Sequence, residues 1–209
     1  MARNGIHLVA AAGSVRPGNF TSKALALVVD EIRKHPEVGL EVIDLAKARL
    51  PFPGQAPTED AKLIQKQISE ATGVILATPE YHGSFSSVMK LLIENLGFPS
   101  VLAGKPVALL GVAAGQIGAV KALEHLRSVC SHIGAIVLPG TVSVAGVQQL
   151  FDEQGRVLDP TTEKRIRSVA DLILDYIHDN ICRRAALEEY ARSGSTEWMS
   201  RLAGPLERF

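Results

Sequence analysis

The apolar residues of this chain change their spacing repeatedly, and this alternation is what most restricts the fold. Residues 6–12 form a short, nearly uninterrupted apolar run, as expected for a strand that is buried on both faces. The next segment instead repeats apolar residues at helical spacing, with Leu25, Val28 and Ile32 on one face. Strands are predicted in this way at 6–12, 40–45, 73–78, 105–112 and 135–138, and helices around 25–32, 59–71, 85–96, 126–133 and 166–177.

Strands that alternate with helices and are apolar throughout predict an α/β fold with a parallel sheet covered on both faces. Five such strands in about 180 residues fit a doubly wound, three-layer sandwich. Ligands of these folds bind beyond the carboxyl ends of the strands, where the strand order reverses. The loops after the first, third and fourth predicted strands are therefore the places to look for a site.

Charge and cysteine usage exclude several classes of protein. The 209 residues carry 22 Lys and Arg against 22 Asp and Glu, whereas a nucleic-acid-binding protein normally has a basic excess. Cys130 and Cys182 lie far apart and outside any CxxC pattern, which argues against a disulfide framework or a thiolate metal site. No apolar run approaches the ~20 residues of a membrane span. We expect a cytoplasmic protein with no metal site, no nucleic-acid partner and no membrane partner.

The chain continues beyond the last helix that the sandwich needs. We assign 1–181 to the sandwich domain and 182–209 to a C-terminal extension. Leu187, Tyr190 and Ala191 have the spacing of one face of a short helix, and the only tryptophan, Trp198, follows. Two interpretations are open: a surface tail, or a segment that packs on a neighbouring subunit, which a tryptophan among charged residues favours.

The loop after the first strand, residues 13–22, combines small residues, hydroxyls, amides and one arginine. The free N–H groups at the start of the following helix, together with the helix dipole, favour an anion there. Arg16 adds a charge-assisted bond, and hydroxyl and amide side chains can donate to phosphate oxygens. The loop matches neither GxxxxGK[ST] nor GxGxxG. We favour phosphate binding over the alternative, a polar loop with a helix cap at Thr21 or Ser22.

The loop after the third strand, residues 78–84, suits the polar edge of a planar heterocycle. Pro79 stiffens the chain, Gly83 permits close backbone approach, and Tyr81 presents a flat amphipathic ring. For His82 a hydrogen-bonding role is favoured over proton transfer, and for Glu80 a helix cap is favoured over an acid. In the loop after the fourth strand, 111–119, the small residues leave room for a ligand, although helix–strand packing also selects glycines.

Two of these loops carry a resemblance to a known family. GSVRPGNFTSKAL after the first strand and TPEYHGSFSSVMKLLIENL after the third are similar to the motifs GSxRxxSxNxxL and PEYNGSxPGxxKNxxD of the NADPH-dependent FMN reductase family. Asn19 and Thr21 stand where Ser and Asn are usual, and His82 and Ser87 replace Asn and Gly. The similarity spans about residues 5–180 and implies a flavodoxin-like sandwich with strand order 2-1-3-4-5.

The resemblance implies FMN and NADPH or NADH as cofactors, with the FMN phosphate in the 13–22 loop and the isoalloxazine on the 79–84 loop. It implies a ping-pong reaction, in which NAD(P)H gives a hydride to flavin N5 and the electrons pass to free flavin, a quinone, an azo dye or a metal oxyanion. Family members are commonly homodimers or homotetramers, and the helix around 85–96 and the tail are the candidate contacts. No side chain is assigned as catalytic. The implied cofactor-binding residues are Ser14, Arg16, Asn19, Phe20, Thr21, Pro79, Glu80, Tyr81, His82, Gly83, Ser84, Ala114 and Gly115.

Two other functions compete with a reductase. One is an electron carrier of the flavodoxin kind, which binds FMN but handles no nicotinamide. Its members are usually strongly acidic, so the zero net charge and the PEYHGS loop weigh against it. The other is a protein that keeps the fold for interaction alone and binds no flavin.

Overall fold

A parallel sheet organises the chain, as the alternating apolar pattern predicts. The computed structural model describes residues 5–152 and 155–193. Within them the strands are Ile6–Ala12 (β1), Val38–Ile43 (β2), Gly73–Tyr81 (β3), Ser84–Phe85 (β4), Pro106–Val112 (β5), Ile136–Val137 (β6) and Val142–Val144 (β7). The main path of the sheet runs β2-β1-β3-β5-β6, and every pair along it is parallel. This is the predicted order 2-1-3-4-5, because β5 and β6 are the fourth and fifth predicted strands.

The last predicted strand, 135–138, corresponds to β6, and a further short strand, β7, follows it at the same edge of the sheet. β6 pairs with the start of β5, and β7 pairs with its end, where Leu110 faces Val142. Pro139, which has no N–H to donate, and Gly140, with φ of +74°, lie between the two strands. The edge of the sheet is therefore completed by two segments, and the sequence predicts only the first of them.

The third strand is longer than predicted and turns back on itself. The sequence places its end at Thr78, before a proline, but β3 continues through Tyr81 and pairs antiparallel with β4. His82 and Gly83 form the two-residue turn, with φ of +51° and +73°. Both values are left-handed, as in the type I′ turns that suit the twist of a hairpin. The next helix consequently begins at Ser87, two residues after the predicted start at Phe85.

Helices fill the intervals between strands, and polar side chains cap the starts of α1, α2 and α3. They are Phe20–Ile32 (α1), Glu59–Glu70 (α2), Ser87–Glu94 (α3), Val120–His132 (α4), Val147–Leu150 (α5) and Pro160–Tyr176 (α6). Asn19, Thr58 and Ser86 accept hydrogen bonds from first-turn N–H groups of α1, α2 and α3. The four-residue α5 was not predicted, because one helical turn is too short to show a period.

The core has two layers because successive strand residues point to opposite faces. Val9 and Leu76 pack on the face that α2, α3 and α4 cover, together with Ile68 and Leu92. The alternate residues, such as Leu8, are equally buried on the other face, where α1 contacts β1, β3 and β5. All seven residues of β5 are buried, as expected of a central strand.

The chain divides into two compact units, Met1–Ile173 and Leu174–Phe209. In the second unit a π-helical stretch, Ile177–Cys182, leads into a helix, Arg183–Ser193 (α7). The predicted helix through Leu187, Tyr190 and Ala191 is confirmed, and Leu187 and Tyr190 are exposed on it. Trp198 lies outside the described residues, and the role of 182–209 remains a prediction. In the described part of the chain no helix is long and apolar enough to cross a membrane.

Candidate functional site

A cleft of about 380 Å³ lies beyond the carboxyl ends of β1, β3 and β5. This is the position that an open α/β sheet favours for a ligand, and the volume is in the usual range for ligand pockets. The three loops that the sequence singles out meet there. Of the expected site residues, the cleft is lined by Ser14, Arg16, Asn19, Phe20, Thr21, Pro79, Glu80, Tyr81 and Ala114. The remaining four, His82, Gly83, Ser84 and Gly115, do not line it.

The loop between β1 and α1 is held in shape by Asn19. Its Oδ1 accepts a bond of 2.7 Å from Ser22 N, and its Nδ2 donates to the carbonyl oxygens of Arg16 and Ser14 at 2.8 and 3.3 Å. The helix cap is therefore Asn19, two positions before Thr21 and three before Ser22, the residues that the sequence offered. The first N–H groups of α1, on Phe20 and Thr21, make no hydrogen bond within the described residues and are therefore available to a ligand.

A buried network joins this loop to the loop after β3. Ser86 Oγ donates to the carbonyl of Gly13 and accepts from Met89 N, while Ser86 N donates to Thr78 Oγ1 at 3.2 Å. Gly13 has no room for a side chain, because a Cβ there would lie 2.9 Å from Ser86 Oγ and 3.0 Å from Met89 Cβ. A glycine is thus required at position 13 because this part of the loop packs closely against the start of α3.

Tyr81 links the two loops on the open side of the cleft. Its hydroxyl lies 3.3 Å from Ser14 Oγ, and the guanidinium carbon of Arg16 lies 4.7 Å from the centre of its ring. Ser14 is buried, whereas Arg16 is exposed. The arginine can therefore reach a ligand in the cleft while its planar group rests on an aromatic face.

Glu80 caps a helix, but this helix is α4 and not the one that follows its own loop, which Ser86 caps. Its Oε2 accepts a bond of 3.1 Å from Ala122 N in the first turn of α4. The cap residue of that helix, Ala119, has no side-chain acceptor of its own, and its N–H donates to Ser143 Oγ at 2.8 Å. A carboxylate at a helix N-terminus is also favoured by the helix dipole. Glu80 therefore positions α4 beside the cleft.

The turn residues of the hairpin lie outside the lining of the cleft. His82 is exposed, and Ser84 Oγ lies 3.1 Å from His125 Nδ1 of α4. Asn-Gly is the preferred pair for a type I′ turn, and histidine is among the few other residues that adopt a positive φ. The replacement of Asn by His82 therefore keeps the hairpin, at some cost in backbone strain.

The loop after β5 is bonded to the segment that follows β7. Ala113 N donates to Val144 O at 2.8 Å, Val147 N to Ala113 O at 3.2 Å, and Gly146 N to Gly115 O at 3.1 Å. These bonds bring Val147 and Gln148 of α5 to the cleft. Sequence reasoning missed both residues. Packing excludes a side chain at Gly111, where a Cβ would lie 2.7 Å from Ala119 Cβ, and at Gly118, where a Cβ would clash with Ser143 Oγ.

A comparison with known protein families identifies the family to which the motifs of these loops belong. The family described as NADPH-dependent FMN reductase matches residues 6–149, which is most of the chain. The chain belongs to the NADPH-dependent FMN reductase family. It is therefore an oxidoreductase whose cofactors are FMN and a nicotinamide nucleotide.

Individual relatives agree with this membership. An NAD(P)H-dependent FMN reductase of Pseudomonas aeruginosa is 30% identical over 173 residues, covering 78% of this chain and 90% of the relative. A 2-hydroxy-1,4-benzoquinone reductase of a Burkholderia species is 29% identical over 58% of this chain and 68% of its own length. An FMN-dependent NADPH-azoreductase of Staphylococcus aureus is 28% identical over 80% and 93%.

Solved structures confirm the flavodoxin-like fold of this family member. The flavoenzyme FerB of Paracoccus denitrificans, described as an NAD(P)H:(acceptor) oxidoreductase, superposes with a TM-score of 0.67 at 23% identity. The match covers 82% of this chain and 97% of FerB. The residues of the reductase that sequence reasoning missed, Ser86, Val147 and Gln148, lie in or after elements too short to show a period. The signal that points to Ser86 is a serine directly before an apolar segment of helical period, where a helix cap is expected.

Proposed function

We propose that this reductase binds FMN in the cleft and uses NAD(P)H to reduce a small planar acceptor such as a quinone or an azo compound. The FMN phosphate lies on the loop between β1 and α1, and the isoalloxazine lies between the β3–β4 hairpin and the loop after β5. The observation that carries this proposal is the meeting of Ser14, Arg16, Tyr81 and Ala114 in one cleft at the switch point of the sheet.

The phosphate end of the cleft has donors suited to a dianion. The N–H groups of Phe20 and Thr21 are unpaired among the described residues, and the dipole of the 13-residue α1 points its positive end there. Arg16 supplies the formal charge, and no ion pair within the described residues competes for it. Asn19 uses both ends of its amide within the loop, so its part is to orient these donors.

The other end of the cleft suits a flat, mostly apolar ring. Pro79, Tyr81, Ala113 and Ala114 are among its walls. Bound FMN supplies the redox chemistry, by taking a hydride from the nicotinamide at N5 and passing two electrons to the acceptor. The protein orients the two planar partners and excludes water. A ping-pong order follows if both partners use the same open face in turn, and no acidic or basic side chain is required.

Anaerobic titration tests the function directly. The protein reconstituted with FMN is expected to be yellow. The visible absorbance band of its flavin should disappear when NADPH or NADH is added. Adding a quinone or an azo dye should then restore the colour, and steady-state rates should give parallel lines when both substrates are varied. A yellow protein that neither nucleotide bleaches would contradict the reductase and leave an electron carrier. A protein that binds no FMN would contradict both.

The assembly and location of the reductase are further parts of the proposal. We propose a homodimer or homotetramer, supported by the large apolar side chains that the monomer exposes, Phe98 after α3 and Ile117 before α4 among them. A cytoplasmic location is supported by two free cysteines, and burial raises the pKa of Cys130 to about 12. Light scattering during size-exclusion chromatography measures the assembly, and a monomeric mass would contradict it.

A further inference from the structure

Basic side chains gather on the outer rim of the cleft, where the β3–β4 hairpin meets the start of α4. Lys121 and His125 are one turn apart on α4, and both are exposed. A Cβ at Gly83 would lie 3.6 Å from Lys121 Cδ, so the stem of this lysine lies along the hairpin turn. His125 Nδ1 lies 3.1 Å from Ser84 Oγ, which fixes the imidazole beside the same turn. His82 is exposed at the tip of that turn.

No carboxylate engages the lysine of this rim within the described residues. Lys121 has no ion pair there, although Glu124 follows it on α4. The nearest hairpin carboxylate, Glu80, accepts the bond from Ala122 N at the start of α4 and is stabilised by the helix dipole. The rim therefore presents one ammonium and two imidazoles to solvent, a set that recognises a phosphate monoester.

From this we infer that Lys121 and His125 bind the 2′-phosphate of NADPH and make the enzyme prefer NADPH to NADH. The inference rests on the proposed function, which places the flavin ring between the hairpin and the loop after β5. A nicotinamide that stacks on that ring must enter from the open side, so the rest of the dinucleotide extends across the rim. In that proposal Arg16 engages the FMN phosphate, so a second anion needs another cation.

An anionic acceptor is the other possible source of the same chemistry, because a sulfonate or carboxylate would also suit a cationic rim. The nucleotide is favoured because Ser84 orients His125 towards the turn and the stem of Lys121 lies along it, which brings two donors to the same turn for one compact group. A planar dye carries its anions at the ends of a rigid aromatic frame and does not need paired donors.

Binding of two probes separates these cases. The wild-type protein should bind 2′,5′-ADP at least tenfold more tightly than 5′-AMP in a calorimetric titration. Lys121→Gln should reduce that preference about tenfold, the effect of losing one charge-assisted bond, and Lys121→Arg should retain most of it. Lys66→Gln is the matched control, because it removes an exposed lysine from α2, which contributes no residue to the cleft.

The ratio of kcat/KM for NADPH to kcat/KM for NADH provides a second measure that a general loss of stability would not alter. The ratio should fall about tenfold in Lys121→Gln and further when His125→Asn is combined with it. A ratio and a probe preference that stay at wild-type values in these variants would overturn the inference. A change confined to the KM of a sulfonated azo dye would also overturn it, because the anion would then belong to the acceptor. Failure of FMN binding would contradict the proposed function but leave the 2′,5′-ADP titration interpretable.

Discussion

Arg16 occupies an unusual position for a charged residue, because it is exposed to solvent and yet rests on the ring of Tyr81. The contact of 4.7 Å keeps the guanidinium beside the cleft and leaves its N–H groups free for a ligand. A phosphate on the N-terminus of α1 would lie within its reach. The arginine therefore contributes both charge and a preset orientation to the proposed phosphate site.

Arg16→Ala should weaken FMN binding by about 1.5–3 kcal/mol, which is the range for a hydrogen bond to a charged group. The dissociation constant can be measured by quenching of flavin fluorescence when the apoprotein is titrated. Arg165→Ala, at an exposed position of α6, is the control for a general change of charge. An FMN affinity in Arg16→Ala equal to that of the control would refute the phosphate assignment.

Ser86 is the residue through which two loops of the site share one set of bonds. Replacing it with Ala removes the donor to Gly13 O and the cap of α3, and it leaves a buried carbonyl unpaired. The free energy of unfolding should fall by about 1–3 kcal/mol, measured by urea denaturation. Ser87→Ala changes the neighbouring exposed residue and should cost less than about 0.5 kcal/mol. Equal costs for the two variants would mean that the buried network contributes nothing.

The β3–β4 hairpin is the element whose sequence and conformation are in conflict, because His82 holds a φ of +51°. Val at this position should cost about 1–2 kcal/mol, since a β-branched residue fits the left-handed region poorly, whereas Asn should be neutral or slightly stabilising. Both variants remove the imidazole equally, so the difference between their unfolding free energies isolates the backbone. Identical stabilities would show that the turn changes conformation in solution.

α1 and α6 are joined by an ion cluster around Arg167. Its guanidinium bonds to Asp30 at 2.6 Å, to Glu31 at 3.2 Å and to Glu163 at 2.8 Å. The hydrogen bond from Arg167 holds the pKa of Asp30 below its usual 3.8, and bonds from Lys34 and then Arg167 lower the pKa of Glu31. Such carboxylates stabilise the fold above their unfolded pKa and lose that contribution as pH falls through the folded value.

The unfolding free energy should therefore decline as pH falls below about 4, and Arg167→Met should flatten this part of the profile. Chemical denaturation at several pH values measures the slope. Arg165→Met, whose residue lies on the same helix without an ion pair among the described residues, should keep the wild-type slope. A steep acid decline that survives in Arg167→Met would place its cause in other carboxylates.

The elements that sequence reasoning recovers are those long enough to show a period. β3 and β5 are apolar runs buried on both faces, and their order follows from alternation with helices. The hairpin turn was missed because His82 stands in place of the Asn that signals a type I′ turn. The end of the sheet was missed because Pro139 and Gly140 divide it into strands of two and three residues. Pairing between strands decides both the hairpin turn and the edge of the sheet. The residue pattern within a single segment does not encode this pairing.

The zero net charge of the whole molecule bears on how it meets its acceptor. Carriers that dock on charged proteins associate at rates that fall steeply with ionic strength, because long-range fields steer them. A reductase of small molecules without a strong overall field needs no such steering. The fold alone does not separate these functions, since carriers and reductases share it.

The rate of reoxidation by a neutral quinone should change less than about twofold when ionic strength rises from ~0.01 to ~0.15 M, although the screening length shrinks from ~30 to ~8 Å. Stopped-flow mixing of the reduced protein with the quinone measures this step alone. Reduction by NADPH in the same instrument is the internal comparison and should slow with salt, because the nucleotide is highly charged. A steep salt dependence with the neutral quinone would indicate local charges on its path.

The bond between Ser86 and the carbonyl of Gly13 has a consequence for the speed and strength of ligand capture. Loops that must be ordered by a ligand subtract conformational entropy from its affinity, by about 0.5–1.5 kcal/mol for each immobilised long side chain. Here a hydrogen bond from the buried hydroxyl of Ser86 already connects the two loops, and the contact between Tyr81 and Ser14 connects them again beside the cleft. Apoprotein and holoprotein should therefore have nearly the same backbone conformation in this region. FMN should bind to a site that is already formed in the apoprotein.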